Sequence, residues 1–117
     1  MEKVRELLSE GIDINYRAFD DWTTPLIAAS REGHADLVEY LLANGAKPNV
    51  ANGGGTPLYW AAFFGKFNVA KILINNGAKF QFKEEDARDL VNRVNKFNNV
   101  ELIMLIEKQI HNETKME

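Results

Sequence analysis

One stretch of this chain is written twice. Thr24 to Asn49 (TPLIAASREGHADLVEYLLANGAKPN) aligns without a gap with Thr56 to Gln81 (TPLYWAAFFGKFNVAKILINNGAKFQ), so one offset carries Thr24 to Thr56, Gly33 to Gly65 and Gly45 to Gly77. The second half of the pattern stands once more upstream as VRELLSEGIDIN, with Gly11 in the place of Gly45 at a slightly longer offset. A period within the range of roughly 20–50 residues restricts the fold more than any other feature. Each unit is a supersecondary element too small to bury its own apolar face, so the units must stack on one another.

Each unit reads as two helices. Thr24 and Thr56 precede prolines, and threonine caps a helix whose first turn tolerates a residue without an amide hydrogen. Leu26, Ala29 and Ser30, like Leu58, Ala61 and Ala62, put a leucine and two small residues on one face, which lets neighbouring helices approach closely. Gly33 and Gly65 then end these helices in the left-handed conformation that glycine adopts without a steric penalty. Second helices are expected over Asp36 to Ala43, with Leu37, Val38, Leu41 and Leu42 apolar, and over Asn68 to Asn75, with Val69, Ile72, Leu73 and Ile74. The half unit at the start has room for one helix only, Glu2 to Ser9. Val4, Leu7 and Leu8 therefore lack part of their cover, which makes this end a candidate for self-association.

After Phe82 the pattern decays. In KEEDARDLVNRVNKFNNVELIMLIEKQI, Leu90 falls one full period after Leu58, and Leu105 and Ile106 fall one full period after Leu73 and Ile74. No TPL, no Gly-His and no closing glycine occur. A degenerate unit that caps the stack is expected here, followed by a frayed polar tail from about His111.

These motifs, in register twice, resemble the ankyrin repeat: a turn, a TPLH-type helix start, Gly-His, a second helix rich in Val and Leu, then a G-A-D-V-N-like close. The resemblance covers Met1 to about Phe82. It implies an all-α ankyrin-repeat solenoid in one domain, with a half repeat at 1–15, repeats at 16–49 and 50–82, a degenerate cap at 83–111 and a polar tail at 112–117. The TPLH histidine is replaced by Ile27 and Tyr59, and Trp22 stands where the family prefers glycine. Relatives bind proteins through the concave side, so the function implied is non-catalytic protein recognition through that side and the loop tips. Carried over by register, the tip positions are Asp20, Asp21 and Thr23, then Asn52, Gly53 and Gly55. The open inner-helix positions are Ala28, Arg31 and Glu32, then Trp60, Phe63 and Phe64, then Asn92, Asn95 and Lys96. Asn15 and Asn49 match the asparagine that an asparaginyl hydroxylase modifies in some relatives. A structural role within a longer ankyrin scaffold is the other alternative.

Composition narrows the field further. There are 117 residues, a net charge of −3 and no cysteine, which excludes disulfides and thiolate metal sites. Basic residues are scattered, so no nucleic-acid footprint is present. No run has the length of a membrane span, and the N-terminus lacks the apolar core of a signal peptide; an intracellular, cytoplasmic protein is the expectation. No nucleophile elbow, HExxH or kinase motif occurs, so neither an enzyme nor a cofactor or metal is expected. His34, of the Gly-His pair, is read as bonding between repeats. NGGGTP, Asn52 to Pro57, lacks the lysine and hydroxyl of a phosphate loop and reads as a turn.

The helix after Thr56 is the exception to all this ordinariness. Tyr59, Trp60, Phe63 and Phe64 crowd into one short helix. Trp60, Phe63 and Phe64, at i, i+3 and i+4, share a face opposite Leu58, Ala61 and Ala62. Core filling is one explanation. The other is a binding patch rimmed by Arg31, Glu32 and Lys96 and extended by Trp22, in the manner of a hot spot.

Overall fold

The computed structural model describes residues 10–11, 13–17, 22–81 and 84–115. The expected first helix, Glu2 to Ser9, lies outside them, as do Asp20 and Asp21. Among the described residues there are six helices and no strand: α1 (Pro25–Glu32), α2 (Ala35–Ala43), α3 (Pro57–Phe63), α4 (Phe67–Asn75), α5 (Glu84–Asn95) and α6 (Val100–Lys115). They form two rows. An inner row runs α1, α3, α5 and an outer row α2, α4, α6, with each inner helix packed on the outer helix that follows it. The result is an elongated all-α solenoid, 41 × 25 × 25 Å.

Local chemistry sets the inner helices. The Thr24 hydroxyl accepts the Ile27 amide at 3.2 Å and Thr56 accepts that of Tyr59 at 3.4 Å, with proline in the first turn each time. Such a cap is worth about 1 kcal/mol. Thr56 does more, because its buried hydroxyl also donates to the Lys79 carbonyl at 2.7 Å and ties α3 to the far side of its own repeat. Gly33 and Gly65, at φ of 79° and 70°, reverse the chain into α2 and α4. Those outer helices begin at Ala35 and Phe67, one residue earlier than expected, and their first turns carry no side-chain cap.

The core is the set of stack-facing residues: Leu26, Ala29, Leu58, Ala61 and Ala62 in the inner row and Val38, Leu41, Val69 and Leu73 in the outer, all buried. Ser30 is buried beside them and its hydroxyl finds no hydrogen-bond partner. Its counterpart in the next repeat, Ala62, carries no such burden, so smallness and not polarity is what the position requires.

The terminal unit solves its problems with different residues. Asn98, at φ 53°, makes the left-handed turn after α5 that glycine makes elsewhere, a conformation asparagine tolerates better than most. Asn99 then caps α6, its side-chain oxygen accepting the Leu102 amide at 3.1 Å. α6 continues through Lys115, so the polar tail expected from 112 begins inside a helix. The reason is a contact that polarity alone conceals. The Glu113 carboxylate accepts the Phe80 and Gln81 amides at 3.0–3.1 Å, and Gln109 steadies it at 2.8 Å.

Side chains also tie the earlier repeats to one another. Asn15 accepts the Lys47 amide at 2.8 Å and donates to the Gly45 carbonyl at 3.3 Å. One repeat later Asn49 accepts from Lys79 at 2.7 Å and donates to Gly77 at 3.1 Å. Gln81 stands where the next asparagine would, and there the polarity reverses: Glu113, from α6, accepts the Phe80 and Gln81 amides.

Candidate protein-binding face

Leu58, Ala61 and Ala62 have no exposure to water, which fixes the opposite side of α3 as the one that faces away from the stack. Tyr59, Trp60 and Phe63 there are half-buried, and Phe64 is 38% exposed. The four rings pack edge to face and offset: Tyr59 to Trp60 at 5.5 Å, Trp60 to Phe63 at 5.6 Å, Phe63 to Phe64 at 5.0 Å, and Trp60 stacked on Phe64 at 6.0 Å. Contacts of this kind add about 0.5–1.5 kcal/mol each beyond area burial. Tyr59 and Phe63 also pack against the buried core, so the cluster is part core and part surface. The rings bury their inner surfaces on one another and on that core and leave outer surfaces open.

The loop before α3 completes the seat. A Cβ on Gly54 would lie 2.5 Å from the Trp60 ring, and one on Gly55 2.7 Å from Tyr59. The glycine run is therefore a floor for the rings as well as a turn. Asn52 joins the two: its side-chain oxygen accepts the Trp60 indole N–H at 3.0 Å and the Gly54 and Gly55 amides at 2.8 and 3.0 Å, and its amide donates to Thr23 at 3.2 Å. Asn52 is half-buried, with its side chain committed to the fold.

Two arginines flank the cluster. Arg31, from α1, lies 5.7 Å from the Trp60 ring. Arg93, from α5, lies 3.6 Å from the Phe63 ring, and its Nε donates to the Phe63 carbonyl at 2.7 Å. Arg93 was not among the residues expected here, although the signal existed. It stands one period after Ala61, at a position that faces the preceding helix, where a cation must lie along the nearest ring. Of the expected rim, Glu32, Asn95 and Lys96 are exposed.

Trp22 is 56% exposed beside the loop tip, with Arg17 4.8 Å over its ring and Arg17 itself held by the Ala51 carbonyl. Its backbone sits at φ 64°. A bulky residue there costs on the order of 1 kcal/mol that glycine would not.

Of the other expected positions, Gly53 and Asn92 are exposed and Thr23 and Ala28 half-buried. Asn15 and Asn49 use both ends of their amides in the bonds described above. His34 is exposed, and among the described residues its imidazole makes no hydrogen bond, which corrects its expected role between repeats. α2 starts there on backbone bonds alone. Among the described residues no helix is long and apolar enough to cross a membrane, and no cluster of three metal-binding side chains occurs.

Comparison with known proteins agrees with this architecture. The family model for ankyrin repeats, in three copies, matches residues 1–84. The chain belongs to the ankyrin-repeat family. It is similar to serine/threonine-protein kinase 12 of Arabidopsis thaliana, 41% identical over 68% of this chain but 17% of the kinase. It is similar also to the E3 ubiquitin-protein ligase Ufd4 of Drosophila melanogaster, 38% identical over 74% of this chain and 3% of the ligase. A protein of Rickettsia felis named for its ankyrin repeats is 46% identical over 47% of this chain and 25% of its own length. The chain therefore spans a quarter or less of these relatives. Ankyrin repeats generally mediate protein–protein interaction and are typically non-catalytic, even where the longer protein is an enzyme.

Proposed function

We propose that this domain recognises another protein, without catalysis, on the face built by Trp60, Phe63 and Phe64 with Trp22 at its edge. The carrying observation is that four rings are held fixed yet incompletely covered. Side chains already immobilised by Asn52, Gly54 and Arg93 lose little rotamer freedom on binding, a cost of about 0.5–1.5 kcal/mol per flexible side chain elsewhere. Large aromatic surface with arginine at the rim is also the usual composition of an interface hot spot. Asn52 and Arg93 act as positioning residues, and Glu32, Asn95 and Lys96 as rim. Tyr59, seated on Gly55, supports the rings from behind. The intracellular, cytoplasmic setting remains part of this proposal.

The test compares quantitative capture from the native cell by the parent chain, by Trp22→Ser with Phe64→Ser, and by Met104→Ser. Met104 is 64% exposed on α6, beside a groove of about 400 Å³ on the outer helices. The aromatic pair of changes should reduce the captured protein at least tenfold, and Met104→Ser should leave it unchanged. Equal capture by all three, or loss with Met104→Ser alone, would move the binding face elsewhere.

A further inference from the structure

The two arginines beside the rings carry information about what lies on them. Neither Arg31 nor Arg93 is paired with a carboxylate among the described residues. Arg93 commits its Nε to the Phe63 carbonyl, which leaves its two terminal amino groups; Arg31 makes no hydrogen bond among the described residues. An arginine lying over a ring keeps a row of N–H donors at its edge, in the fork geometry that fits a carboxylate. Ring-to-ring steps join the two: 5.7 Å from Arg31 to Trp60, 5.6 Å on to Phe63 and 3.6 Å to Arg93. The guanidinium carbons are thus at most about 15 Å apart. An extended chain advances about 3.4 Å per residue and puts every second side chain on one side, so residues i and i+4 lie about 14 Å apart facing the same way, with i+2 between them.

We infer that the segment bound here is extended and carries two acidic side chains on one side, no more than four positions apart, with an apolar side chain between them, as in the pattern acidic, x, apolar, x, acidic. Its carboxylates engage Arg31 and Arg93, and its central apolar side chain lies on Trp60 and Phe64. The inference rests on the aromatic face being the binding face. It adds a charge sign and an upper limit on spacing to it. The attraction is local, since the whole chain carries −3. The same balance disfavours a continuous polyanion such as a nucleic acid, although rings and arginines together also suit stacked bases.

The test is a titration of the full chain, followed by tryptophan fluorescence, with a nine-residue peptide centred on Glu-Thr-Leu-Thr-Glu. Comparison ligands are its Gln-Thr-Leu-Thr-Gln analogue and a ten-nucleotide oligothymidine. The acidic peptide should bind about tenfold more tightly than the glutamine analogue at low salt, because charge-assisted bonds are roughly twice as strong as neutral ones. That advantage should shrink as salt rises toward about 0.5 M. Arg31→Gln should weaken the acidic peptide about fivefold and leave the analogue unchanged. Equal binding of the two peptides, binding of the oligothymidine alone, or no peptide binding at all would overturn the inference. The two readings separate through Phe64→Ser. If the peptides bind equally and both weaken in that variant, the acidic pattern falls and the aromatic face stands. If a bound peptide is indifferent to it, both fall.

Discussion

Removing residues 112–117 is expected to destabilise the whole stack by about 2 kcal/mol, a fall in melting temperature on the order of 8 °C. A polar terminus of this composition would ordinarily be dispensable. Here it carries Glu113, whose carboxylate receives two backbone amides of the preceding repeat. Without it the Phe80 and Gln81 amides lose that acceptor, with Phe80 itself 2% exposed, and the end of α6 keeps the Gln109 bond to the Ala78 carbonyl but not the carboxylate's hold. Glu113→Ala in the full chain should reproduce most of the loss. Thermal melts of the three proteins decide the matter, and a truncated chain that melts with the parent would show the contact to be idle.

Gly54→Val is expected to dislodge Trp60, cost about 1–3 kcal/mol and reduce partner capture at least tenfold. The new side chain would begin 2.5 Å from the indole ring. Gly54 is not among the glycines at positive φ, so the loss comes from the ring's seat and not from backbone strain. The indole would leave Asn52 and its neighbours Phe63 and Phe64, and tryptophan emission should shift to the red. Gly53→Val is the control, because nothing lies within 4 Å of a Cβ there; it should alter neither emission nor capture. Equal effects of the two changes would mean that the loop tolerates no side chain at all, and that the ring seat is irrelevant.

The fold was legible because the residues that set it act locally and recur. Thr-Pro starts, glycine stops and leucine stripes specify helices whatever surrounds them, and the constant period says that they stack. The asparagines were opaque for the opposite reason. Asn15 and Asn49 bond across a repeat boundary, and Asn98 and Asn99 turn and cap the chain only because the glycine of earlier units is missing. Composition counts them without assigning any of this. Glu113 was opaque too, since its partners lie a whole repeat away in a unit whose pattern gave no register for it.

The candidate site was half legible. Helical spacing separated Trp60, Phe63 and Phe64 from Leu58, Ala61 and Ala62, and the burial difference follows that division. Spacing said nothing of Gly54 as a floor or Asn52 as a tether, because both depend on how a loop folds back over a ring. Trp22 is a case of a local rule broken for little packing gain: a large, exposed side chain under Arg17 holds a left-handed backbone that glycine would hold with less strain, which the proposed binding role would explain.

On the proposed reading the two sides of α3 have different work, with the stack on one and a protein partner on the other. Photo-crosslinking tests it most directly. A photoreactive phenylalanine analogue placed at Phe64, and separately at Met104, would be irradiated in the native cell and the adducts identified by mass. A single prominent adduct is expected from position 64, abolished by Trp22→Ser, and none in common from position 104. The same adduct from position 104, or none from 64 while the protein still captures its partner, would contradict it.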